Sequence, residues 1–137
     1  MSFAWSRADA EVEEGADFSV AIWAPRADLL ITQLRGRGTV EGLRVYTSRA
    51  ERAMGAGPLT VFHDWCDLDG YDPAARDALK AWGKAHTAAF AGVHYLVRSK
   101  IVMMLISVAA LTLGRDLYAT TDRASFDAKL AVALRRP

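Results

Sequence analysis

The sequence predicts an α/β domain with a mostly parallel mixed sheet, its elements in the order β-β-α-β-α-β-α-β-α. Three observations lead there. After an opening hairpin, short β-rich runs alternate with segments of helical apolar period, the pattern of parallel strands joined by crossovers. Gly, Pro, Asp, Ser or Thr stands at nearly every junction, where turns and caps need them. The length of 137 residues, with 52% hydrophobic and 24% charged side chains, suits a single packed core.

Residues 1–17 are expected to be a lead or an edge strand, and residues 18–137 the domain. Phe18 to Ala24 alternates, with Phe18, Val20, Ile22 and Ala24 on one side. Pro25 to Asp28 breaks the run, and Leu29 to Leu34 makes the return strand. After Gly36-Arg37-Gly38, Thr39 is set to cap a helix whose stripe is Val40, Leu43, Tyr46, Ala50, Ala53 and Met54. Gly55 to Pro58 ends that helix, and Leu59 to Trp65 follows as a strand.

Asp67 to Pro73 reads as an acidic turn, with Asp72 as the cap of the next helix and Pro73 at its first position. Ala75, Leu79, Trp82, His86 and Phe90 line one side of this helix, and Gly92 stops it. Val93 to Val97 is a short central strand. Ser99 caps a helix from Ile101 to Leu113 that is apolar around most of its circumference, closed by Gly114. Those thirteen residues are short of the roughly 20 that span a bilayer, so the expectation is a buried core helix. Leu117 to Thr121 is the last strand, and Asp122 starts a C-terminal helix marked by Phe126, Leu130, Ala133 and Leu134.

Seventeen basic and sixteen acidic side chains leave a net charge of +1, which offers no general electrostatic reason to bind nucleic acid. The first residues lack the basic start and apolar core of a signal peptide, and the single Cys66 precludes an internal disulfide. A soluble, cytoplasmic protein is expected, with no cofactor and no bound metal.

Chemical motifs are few. Asp67-x-Asp69-Gly70 fails as a calcium loop, because Trp65 and Arg76 fall on the first and last ligand positions. On a strand, His63 points away from Asp64 and Cys66, which dissolves a metal cluster there. No glycine-rich phosphate loop is present. The carboxylates Asp64, Asp67, Asp69 and Asp72 read as a solvated turn with a helix cap. Met103 and Met104 read as gap-filling core, with an apolar pocket beside them as the natural place for a small apolar ligand.

The strand Leu59–Trp65 leading through Leu68 to Asp72 and a helix, and Arg98-Ser99-Lys100 before the apolar helix, carry a resemblance. With the element order, they make the chain similar to STAS domains, the SpoIIAA-like anti-sigma factor antagonists, from Phe18 to Leu134. The resemblance implies a protein-interaction domain regulated by phosphorylation of a serine at the start of the helix after the acidic turn. Asp72 matches the family's aspartate. Pro73, Ala74 and Ala75 stand where its hydroxyls and glycine belong, and no Ser or Thr lies between Thr60 and Thr87, so the usual switch is missing.

The leading expectation is therefore a non-enzymatic interaction domain without catalytic residues. It would dock a protein partner, or a second copy, through Tyr71, Asp72, Pro73, Ala74, Arg76, Ser99 and Lys100. A carrier or sensor of a small apolar or anionic ligand is the second reading. A hydrolytic enzyme using the Asp-rich turn with His63 is the third.

Overall fold

The structure, a computed structural model, describes residues 10–135. Its described strands are β1 (Glu11–Glu14), β2 (Phe18–Arg26), β3 (Leu29–Gly38), β4 (Leu59–Asp64), β5 (Leu68–Tyr71), β6 (Phe90–Leu96) and β7 (Leu117–Thr120). Its α-helices are α1 (Val40–Ala53), α2 (Pro73–Ala85), α3 (Lys100–Leu113) and α4 (Arg123–Arg135). The sheet order is β1-β2-β3-β4-β6-β7, with β5 beside the far end of β3. β1, β2 and β3 are antiparallel, and every later pairing is parallel. The predicted α/β class and mixed, mostly parallel sheet are what the chain forms.

Strand alternation divides the core in two. Phe18, Val20, Ile22, Leu30, Leu59, Val61 and Val93 meet Tyr46, Ala50 and Ala53 of α1 on one face. Leu29, Ile31, Phe62 and Leu96 meet Phe126 and Leu130 of α4 on the other. Thr39 Oγ1 accepts from Gly42 N at 3.1 Å, Ser99 Oγ from Val102 N at 3.3 Å and Asp122 Oδ1 from Ala124 N at 3.1 Å, so three of the four predicted caps form. Gly114, at φ 61°, supplies the left-handed turn that ends α3.

Four expectations need correction. The acidic turn is partly a strand: Leu68 to Tyr71 pairs in parallel with Gly36 to Gly38, because β3 outruns β4 and leaves its end unpaired. Gly36, at φ 84°, makes the bulge that lets this end of β3 serve both neighbours. Asp72 does not cap α2 with its side chain, since its carboxylate instead accepts from Arg37 Nε at 2.6 Å. Helix α2 ends at Ala85, not Gly92, and a 3-10 turn at Thr87–Ala89 leads into β6 at Phe90. Phe90 thus belongs to the strand.

The largest correction concerns α3, which has no buried residue. Ile101 is 71% and Leu111 86% exposed, with Met104, Leu105 and Val108 also in solvent. Its main contacts are with β7 at the sheet edge. An all-apolar helix demands cover, but the neighbouring layer stands away from it and the space between is open. Among the described residues, no helix is long and apolar enough to cross a membrane.

Candidate functional site

That open space is a cavity of about 840 Å³ on the face carrying α1, α2 and α3. The volume is typical of small-molecule sites. Its floor comes from β4 and β6, whose alternation turns His63, Val93 and Tyr95 toward it and Phe62, Asp64, His94 and Leu96 away. Leu43 and Tyr46 of α1, Leu79 and Trp82 of α2, and Val102 and Ile106 of α3 form the walls.

The floor is an aromatic cluster. The His63 ring lies 4.6 Å from Tyr46, 4.9 Å from Trp65 and 5.0 Å from Tyr95, and Tyr46 lies 5.5 Å from Trp82. His63 is fully buried, not half-buried as a plain strand residue would be. Its Nδ1 is 2.7 Å from Thr32 Oγ1, while Nε2 has no partner among the described residues. Burial lowers its pKa to about 3, so the ring is neutral. Trp82 Nε1 is also buried without a partner. Native proteins rarely leave such atoms orphaned, because each costs about 1–3 kcal/mol.

Burial raises the phenol of Tyr46 well above its ordinary value and that of Tyr95 to about 12, with Arg115 opposing both shifts. Arg115 is half-buried and lines the cavity. Among the described residues, no carboxylate forms an ion pair with it.

The residues expected to dock a partner divide. Tyr71, Arg76 and Ser99 lie on the rim, whereas Asp72, Pro73, Ala74 and Lys100 lie outside it. Tyr71 is 39% exposed. The Arg76 guanidinium meets Asp77 at 3.2 Å, and Ser99 Oγ accepts from Val102 N at 3.3 Å as the cap of α3. The strand-end loops do converge: Trp65 N donates to Leu96 O at 2.9 Å, and Arg98 Nη2 to Leu68 O at 3.2 Å.

Each acidic residue of the turn has an arginine. Arg35 faces Asp67 at 3.8 Å, Arg98 faces Asp69 at 3.7 Å, and Arg37 holds Asp72 at 2.6 Å. Asp64, buried on the opposite face, is held by Arg123 at 3.1 Å. His63 shares no face with Asp64, and the turn carboxylates sit in exposed ion pairs with arginines. The other histidines are apart as well, His94 stacked between Phe62 and Tyr118 and His86 at the end of α2.

Tyr46, Trp82, Gly83, Tyr95 and Arg115 belong to the site without having been singled out for it. Gly83 gave the one available signal, a glycine inside a predicted helix with no turn to explain it.

No family model and no curated protein matches the sequence. Among solved structures, the chain is similar to an uncharacterised DUF3478-family protein with a SpoIIAA-like fold from Shewanella loihica PV-4. Identity is 18%, and the TM-score is 0.62 over 88% of this chain and 91% of that one. The fold is SpoIIAA-like. A likeness at this identity carries the fold and no activity.

Proposed function

We propose that the protein is a non-enzymatic binding domain, a carrier or sensor that takes a small apolar molecule into the cavity between α2 and α3. The cavity itself carries this reading, with about 840 Å³ of space walled by apolar side chains and few polar groups. The inner side of α3 supports it, because Val102, Leu105, Ile106, Ala109 and Leu113 line the cavity and would be covered by an apolar occupant. His63 is buried and neutral with Thr32 as its hydrogen-bond partner, and the turn carboxylates face arginines instead, so the hydrolytic reading lacks the acid–base pair it needs.

Fluorescence titration with the neutral probe N-phenyl-1-naphthylamine tests the reading. Saturable one-to-one binding is expected, together with its loss in Ile106→Trp, which fills the cavity from α3. Absence of saturable binding, or undiminished binding in the variant, would count against it.

A second reading retains a protein partner at the rim. Tyr71 and Arg76 support it, as an exposed aromatic at the end of β5 and an exposed guanidinium in the first turn of α2. The Tyr71→Ala, Arg76→Glu pair should weaken partner binding or self-association by about 2 kcal/mol. Normal recovery of partners by the double variant in a pull-down from the native host removes this reading and leaves the cavity untouched.

A further inference from the structure

Gly83 lies inside α2, where glycine costs about 1 kcal/mol relative to alanine. Its backbone is ordinary, so a left-handed conformation does not explain it. Space does. A β-carbon at Gly83 would stand 2.7 Å from Arg115 Nη1 and 2.9 Å from Nη2. The missing side chain is what lets the guanidinium lie flat against the helix.

The other cations around the cavity are accounted for. Arg76 and Arg98 at the rim face Asp77 and Asp69, and Lys80, which also lines the cavity, is exposed to solvent where Arg115 is half-buried. His63 is neutral. Arg115 remains as the half-buried cation without a carboxylate among the described residues, near the starts of β6 and β7 and away from the strand-end rim. On the same turn of α2 as Gly83, Trp82 Nε1 is a buried donor without an acceptor.

We infer that the ligand is an amphiphile whose carboxylate is held by Arg115 in the notch at Gly83, with its hydrocarbon chain along the apolar cavity toward the rim. This rests on the binding role proposed above and specifies its chemistry. A guanidinium and a carboxylate match as paired donors and acceptors. One arginine balances one negative charge, which favours a carboxylate over a phosphate monoester carrying nearly two.

The test is displacement of bound N-phenyl-1-naphthylamine at pH 7 by dodecanoate, dodecanol and dodecylammonium, each below its micelle concentration. Dodecanoate should compete about tenfold or more better than the other two. Arg115→Gln should erase that preference while dodecanol competes as before. Gly83→Ala, which moves the guanidinium without removing it, should lower dodecanoate selectively and serves if Arg115→Gln does not fold. Equal competition by all three in the wild type, or a preference that survives Arg115→Gln or, where that variant does not fold, Gly83→Ala, overturns the carboxylate assignment and leaves the apolar cavity standing. If no probe binds at all, the binding role fails and this inference falls with it.

Discussion

Gly83 and Arg115 compete for one space: the guanidinium occupies the volume that a β-carbon on the helix would take. This pairing links a local oddity of α2 to the electrostatics of the cavity. Alanine at position 83 gains about 1 kcal/mol of helix propensity and loses the packing of a flexible side chain. Thermal unfolding of Gly83→Ala should therefore stay within a few degrees of wild type. A large destabilisation would mean that the guanidinium is fixed there by more than the notch.

The outer side of α3 should tolerate charge. Leu111→Glu and Ile101→Glu place carboxylates where side chains are 86% and 71% exposed, and each should change stability by less than about 0.5 kcal/mol. Phe126→Ala, in the core under α4, should cost about 3–5 kcal/mol. Urea unfolding of the three variants separates these cases, and unfolding caused by Leu111→Glu would say that α3 is covered.

On the face opposite the cavity, Asp64 depends on Arg123. The carboxylate is 2% exposed, accepts from Arg123 Nη2 at 3.1 and 3.2 Å, and also accepts from Cys66 N. Removing the cation leaves a buried charge uncompensated. Because the guanidinium is itself 42% exposed, Arg123→Met should cost about 2–3 kcal/mol, toward the lower end for a broken buried pair. Adding Asp64→Asn should recover part of the loss in a double-mutant cycle, and strict additivity would show that the two residues are not coupled.

His63 sets an acid limit. Its folded pKa is depressed to about 3 from 6.5, so between those values the unfolded chain binds the proton and the folded ring does not. The contribution is complete above pH 6.5 and is lost as pH falls toward 3, at up to about 1.4 kcal/mol per pH unit. Guanidinium unfolding at pH 7, 5.5 and 4.5 should show this decline, with a shallower slope in His63→Gln. Equal slopes in the two proteins would remove the neutral buried ring from the account.

Much of the fold was legible because patterns of period two and 3.6 report which side of an element is apolar. Phe18, Val20 and Ile22, and the stripe through Tyr46, Ala50 and Ala53, pack as their spacing implies. Local composition misled where tertiary pairing decided. Leu-Asp-Gly-Tyr has turn chemistry, yet the unpaired end of β3 makes it β5. For α3, apolar composition stated a need for cover but not whether the chain supplies it. The site was the least legible, since Tyr46, Trp82, Tyr95 and Arg115 come from α1, α2, β6 and the turn between α3 and β7, and only the sheet order brings them to one face.

A crystal structure of the protein with dodecanoate bound locates both ends of the ligand. The hydrocarbon chain is predicted between α2 and α3, over His63 and Tyr95, with the carboxylate on Arg115 beside Gly83. Dodecanoate found on the outer surface of α3, with the cavity filled by water or by its own collapsed walls, would contradict the account.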